Sequence, residues 1–156
     1  MLETTNLDLF AGIPVEEFAA ARIWYERLLG CPPVFFPHET EAVWELAAHR
    51  YVYIVQQPRH AGHARVTLLV EGLDSLVADI RARGLKARYN ETYGNGVRKV
   101  TYRDPDGNEL GFGAAPNDRS STPGPATRSR RVGRRALNSR RRPRSRRPRA
   151  RRRSSG

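Results

Sequence analysis

A short strand followed by an amphipathic helix occurs twice in this chain, and each time a glycine and three further strands come after it. Leu7–Ile13 alternates, with Leu7, Leu9, Ala11 and Ile13 on one face and Asp8, Phe10 and Gly12 on the other, the pattern of a half-buried strand. Pro14 is expected to open the first helix, with Glu16 and Glu17 suited to the positive end of its dipole. Phe18, Ala21, Tyr25 and Leu28 fall on one stripe, widened by Trp24 and Leu29, and Gly30 is a natural stop. At this spacing Trp24 and Tyr25 read as core packing rather than an aromatic ligand box. Val34–Pro37, Glu41–Ala47 and Tyr51–Gln56 read as strands, and Gln57–Gly62 as a polar linker. The second copy has a strand at Arg65–Val70, a helical stripe of Leu73, Leu76, Val77 and Ile80, and a stop at Gly84. Leu85–Tyr93, Val97–Arg103 and Glu109–Phe112 complete it, at an offset of roughly 54 residues.

Two βαβββ modules, about 6–57 and 64–115, therefore predict an α+β domain over 1–116. Each helix covers one face of a mixed, mainly antiparallel sheet and leaves the other open. Setting the halves together makes the open, concave faces a shared cleft. The halves can pair within one chain or across two. The second arrangement requires a homodimer, which is the expectation. The closing hairpin is the sharpest local signal. In Thr101–Phe112, TYRDPDGNELGF, Pro105 presets φ, Gly107 supplies a positive φ, and Asp106 and Asn108 are placed to bond their own backbone.

Charge divides the chain at the same place. Residues 1–116 hold 12 Lys+Arg against 15 Asp+Glu, whereas residues 117–156 hold 16 Arg and one acid, Asp118. The whole-chain charge of +12 thus belongs to an Arg-, Ser- and Pro-rich tail, which lacks the apolar residues to build a core and is expected to be disordered. Arg128–Arg153 would contact nucleic acid in a salt-sensitive, sequence-blind way, without aromatic residues to stack on bases. The competing reading is that Arg, Pro, Ser, Ala and Gly share GC-rich codons, so a frameshift would write such a tail. Cys31 is the single cysteine, which excludes an intrachain disulfide and suits a reducing compartment. No apolar run has membrane-spanning length and no signal pattern opens the chain, so a cytoplasmic location is expected.

Three stretches carry a family resemblance: FAGIPVEEFAAARIWYERLLG (10–30), VTLLVEGLDSLVADIRARG (66–84) and YRDPDGNELGF (102–112). Together they resemble the vicinal oxygen chelate superfamily of glyoxalases, extradiol dioxygenases and bleomycin-resistance proteins. The resemblance implies paired βαβββ modules and, in metal-using members, a divalent ion held by His, Glu or Gln from the first and last strand of each module. The matching places here are Phe10, Tyr53 or a near neighbour, Arg65 and Gly111. Phenyl, phenol, guanidinium and hydrogen make no divalent site, and Glu109 stands two places early. The expectation is therefore no metal and no cofactor, and a binder of small molecules of the bleomycin-resistance kind. The alternatives are a metal-dependent lyase or dioxygenase of the same superfamily, and nucleic-acid association through the tail.

By strand alternation Phe10, Tyr53, Arg65 and Thr67 share the concave side, and Trp44 is expected to join them as ligand-binding residues. Aromatic walls with one guanidinium suit a flat or anionic organic ligand. No catalytic residue is assigned. His38 with Glu39 or Glu41 is a weaker acid–base candidate without an evident orienting group. His60 and His63 read as solvated linker residues. Cys31 reads as a helix-end residue packed under the sheet.

Overall fold

The computed structural model describes residues 7–116. The tail, and with it the expectations of disorder and of nucleic-acid contact, lies outside the described residues. The elements in chain order are β1 (Leu9–Val15), α1 (Phe18–Leu29), β2 (Phe35–His38), β3 (Glu41–Ala47) and β4 (Arg50–Gln56) in the first module. After a short 3₁₀ turn at Pro58–His60 come β5 (Arg65–Leu69), α2 (Leu73–Ala82), β6 (Tyr89–Thr92), β7 (Arg98–Arg103) and β8 (Glu109–Ala114). The fold is α+β, and the duplicated βαβββ order stands as expected.

Each module makes its own four-stranded sheet, ordered β1-β4-β3-β2 and β5-β8-β7-β6. In each, the first strand pairs parallel with the last and the others are antiparallel. The same faces carry the apolar residues in both sheets. Ile13, Val15, Ala42, Trp44, Val52 and Ile54 in one, and Val100, Tyr102, Leu110 and Phe112 in the other, join Tyr25 and Leu28 of α1 and Ile80 of α2 in one continuous buried cluster. The core thus lies on the helix side of both sheets, and each opposite face is left open.

Pro14 does not open the helix. It sits within β1, opposite Val55. β1 is an edge strand, where a missing N–H interrupts no ladder. The helix starts at Phe18 instead, because the Glu17 carboxylate accepts from the backbone N–H groups of Ala19 and Ala20 at 3.1 and 2.7 Å. Gly30 ends α1 in the left-handed region at φ 77°, as its position foretold. Cys31 is exposed rather than packed under the sheet, and its carbonyl accepts from Trp44 Nε1 at 3.0 Å. β6 is shorter than the predicted Leu85–Tyr93 stretch.

Two devices join the modules. At the helix ends, Arg27 donates to the Arg83 carbonyl at 3.1 and 2.9 Å, and Arg83 donates back to the carbonyls of Arg27 and Leu28 at 2.6 and 3.0 Å. Each guanidinium thereby satisfies carbonyls that a helix C-terminus leaves open. The other device is the turn between β7 and β8. There the backbone N–H groups of Asp106, Gly107 and Asn108 all donate to Asp104 Oδ1 at 2.9–3.0 Å. That frees Asp106 and Asn108, expected to serve their own backbone, to reach across. Asp106 Oδ2 accepts from the Glu16 N–H at 2.8 Å, and Asn108 Nδ2 donates to the Pro14 carbonyl at 2.8 Å. Tyr25 of α1 donates to Asp104 Oδ2 at 2.9 Å. All these groups lie at the helices, the β1 terminus or the turn.

The two open sheet faces as a candidate site

The open face of the first module is aromatic. Phe10 and Tyr51, paired across β1 and β4, stack with ring centroids 4.5 Å apart and planes 11° from parallel. Tyr53 follows on the same face, and its ring lies across Gly12. A Cβ built at Gly12 would stand 2.5 Å from the Tyr53 hydroxyl, so the absence of a side chain there gives the ring its place. Val43 and Glu45 of β3 flank the pair, and Tyr51 donates to Glu45 Oε1 at 3.4 Å. Burial first, then the carboxylates of Glu45 and Asp8, push the Tyr51 phenol up.

The open face of the second module is charged. Glu109 accepts from Arg103 Nη2 at 2.7 Å and lies 3.3 Å from Arg65 Nε. The hydrogen bond from Arg103 is the leading reason its carboxyl is held below the usual range. Arg103 also donates to the Tyr89 hydroxyl at 3.2 Å and stacks its guanidinium 5.6 Å from that ring. Beside this network Lys99, Thr101 and Glu91 complete a hollow of about 260 Å³. A larger hollow, of about 510 Å³, lies against Gln57–His60 on the linker, where no side chains of opposed chemistry converge.

Four of the five residues expected at the cleft are on open faces. Phe10 and Tyr53 come together on the first sheet, Arg65 and Thr67 on the second, and no hydrogen bond or ring contact links the two pairs within one chain among the described residues. Trp44 is a correction. Its register partner across β3 and β4 is Val52, and that side of the sheet faces the helices. Trp44 is 0% exposed and packs 6.2 Å from the Tyr25 ring. The alternation of β3 allowed either phase, and the wide apolar stripe of α1 selected the one that buries the indole. Tyr51, Lys99 and Arg103 were missed, and Glu109 was weighed only as a metal ligand. Their signal was available, since Lys99, Thr101 and Arg103 alternate with the buried Val100 and Tyr102.

His38 and Glu41 do meet, at 2.8 Å, with Thr40 Oγ1 3.3 Å from the other ring nitrogen. They occupy the β2–β3 turn, with Glu41 opposite Val55, two rungs beyond Tyr53 and further still from Phe10. Among the described residues no group of three His, Cys, Asp or Glu is disposed to share a metal ion. The places the resemblance assigns to metal ligands do not fit one either. Tyr53 offers a phenol, Arg65 a cation, and the space above Gly111 is filled by Lys99, whose Cε stands 2.5 Å from where a Cβ would be. A lysine lying there repels a divalent cation whichever chain supplies the opposite wall.

No family model matches the chain, and no curated protein matches it. Solved structures do. The chain is 57% identical to a glyoxalase/bleomycin resistance protein from Catenulispora acidiphila, with a TM-score of 0.69 over 71% of this chain and 100% of that one. A lactoylglutathione lyase from Agrobacterium tumefaciens aligns at 15% identity with a TM-score of 0.59, over 72% of this chain and 96% of that one. A bleomycin-binding protein solved with bleomycin aligns at 19% identity with a TM-score of 0.57, over 70% and 98%. At those two identities the likeness is one of fold.

Proposed function

The chain belongs to the glyoxalase/bleomycin-resistance proteins of the vicinal oxygen chelate superfamily, and from there we propose that it binds a small organic molecule, without a metal, in a cleft that two copies build together. The observation that carries this is the stacked Phe10–Tyr51 pair, continued by Tyr53, on a sheet face that the chain's own core leaves open. A stacked aromatic shelf is a surface for a flat ligand, and it gains most when a second wall excludes water. Among the described residues, parts of both open faces are exposed. Phe10 is 47% exposed and Leu69, on the open face of β5, is 78% exposed. β1 and β5 are also unpaired edges. An apolar edge strand of this kind is a pairing surface, and a second copy of this chain covers it best, because the first-module face is aromatic and acidic while the second carries Arg65, Lys99 and Arg103.

Sequestration of a drug or metabolite in the cytoplasm is the role that follows. The bleomycin-binding relative is one instance of such binding, by another protein. Among the described residues no helix is long and apolar enough to cross a membrane. The metal-dependent lyase or dioxygenase alternative needs donors where Phe10, Tyr53, Arg65 and Lys99 stand.

Thermal unfolding of the full chain against a panel of flat organic compounds, bleomycin included, tests the proposal. A ligand present at about 100 times its dissociation constant adds about 2.7 kcal/mol to stability, enough for a clear upward shift in Tm. The shift is expected to persist in chelator. Stoichiometric divalent metal in the purified protein, with ligand binding lost on chelation, overturns the metal-free reading.

A further inference from the structure

Lys99, on the second open face, has no ion pair among the described residues, unlike its neighbours Arg65 and Arg103. Arg65 and Arg103 both hold Glu109. Lys99 has Glu91 as its neighbour across the β6–β7 ladder, yet no ion pair joins them. Its chain turns the other way and lies over Gly111, with Nζ 3.5 Å from the Cβ position of that glycine. Thr101 Oγ1 stands 3.3 Å from the same point, on a residue that is 3% exposed. An ammonium and a hydroxyl therefore converge over a residue with no side chain, inside the 260 Å³ hollow whose walls include Tyr89 and Tyr93. An ammonium that faces a hollow beside a hydroxyl is a place where a ligand oxygen can accept a charge-assisted hydrogen bond.

Resting on the small-molecule reading above, the geometry points to Lys99, helped by Thr101, as the anchor for an anionic oxygen of the ligand, a carboxylate or phenolate on a flat ring. The charged side chains that line this hollow, Arg65 and Lys99 against Glu91 and Glu109, balance, so the draw on an anionic group is the local one of Lys99 and Thr101 over Gly111 rather than a net charge. The first module has no counterpart: the β3 position equivalent to Lys99 is Glu41, opposite Val55 as Lys99 is opposite Gly113. Where the superfamily resemblance implies a carboxylate gripping a divalent ion, this chain presents its own positive charge, and the glycine is what makes room for it.

Calorimetric titration of the full chain with 2-naphthoate and with its neutral analogue 2-naphthamide tests the assignment. The acid is expected to bind at least about tenfold more tightly than the amide, the scale of one charge-assisted hydrogen bond. In Lys99→Met that preference falls to about one while the amide's affinity stays within about twofold; Lys99→Arg retains the preference. The basic tail is common to all three proteins and cancels in the comparison. Equal binding of acid and amide to the wild type overturns the anchor and leaves the small-molecule reading standing. A preference that survives in Lys99→Met, or failure of both probes to bind the wild type, also overturns it. So does a change of oligomeric state in Lys99→Met with probe binding intact, which would assign Lys99 to a protein contact.

Discussion

Tyr25 and Asp104 form a buried polar pair between the two modules. The phenol donates to a carboxylate that also receives three backbone N–H groups and the Asn108 amide, so every bond of this knot is charge-assisted. Tyr25→Phe removes one donor and leaves Asp104 Oδ2 with the Asn108 amide. The expected loss is about 1–3 kcal/mol in urea denaturation. The pH dependence is more diagnostic. Burial first, and then the Asp104 charge, hold the Tyr25 phenol far above its ordinary 10.0. Above that pH the unfolded chain releases the proton and the folded one keeps it, so stability present at neutral pH is lost as pH rises past about 10, at about 1.4 kcal/mol per unit for one group. Denaturation curves from pH 8 to 11 should show this slope in the wild type and a shallower one in Tyr25→Phe. The remainder belongs to Tyr102 and Tyr51, whose phenols are also raised, burial first in each. An equal slope in both proteins would remove Tyr25 from the account. None of this was legible in the heptad-like stripe that marked Tyr25 as a core residue, because the stripe gives a face and not the hydroxyl's partner on another module.

The strands were legible as alternation, and the helices as stripes closed by glycine. What alternation leaves open is phase, and phase is settled by the neighbouring element. β3 shows this through Trp44, which goes to the helices and donates to the Cys31 carbonyl rather than facing a ligand. β1 shows it through Pro14, a helix opener by local rule that an unpaired strand edge accommodates equally well. The glycines of β1 and β8 carry information of the opposite kind. Gly12 lies under Tyr53 and Gly111 under Lys99, so each is a gap in one strand filled from the next. Gly12→Ala should push the Tyr53 ring off the shelf. The obstacle is the far end of a side chain, so the change in Tm should stay within a few degrees, while affinity for a flat ligand falls by about three- to tenfold. Loss of fold without loss of affinity per folded molecule would show that the ring plays no part in binding.

The duplicated order made the architecture readable, but not how the modules meet. They meet on their helix sides, through a shared core, the Arg27–Arg83 exchange and the Asp104–Asn108 turn, and this leaves both open faces without a lid. Under the proposed shared cleft, a second copy supplies that lid. Leu69→Asp places a charge on the most exposed apolar side chain of β5 and should convert a dimer to a monomer in sedimentation velocity, with an unchanged circular dichroism spectrum. Sedimentation as a monomer by the wild type at tens of micromolar would rule out the shared cleft. Periodicity, turn chemistry and the identities at Phe10, Tyr53, Arg65 and Gly111 are local properties of the chain. They were enough to specify two βαβββ units and to argue against a divalent ion, since ligand chemistry is a matter of which atoms are present. Partner choice for Tyr25, the phase of Trp44, the capture of Glu109 by two arginines and the position of Lys99 over Gly111 depend on residues up to 79 apart in sequence. They arise only when packing brings those residues within a few ångströms, because hydrogen bonds and ion pairs are decided by distance in space rather than along the chain.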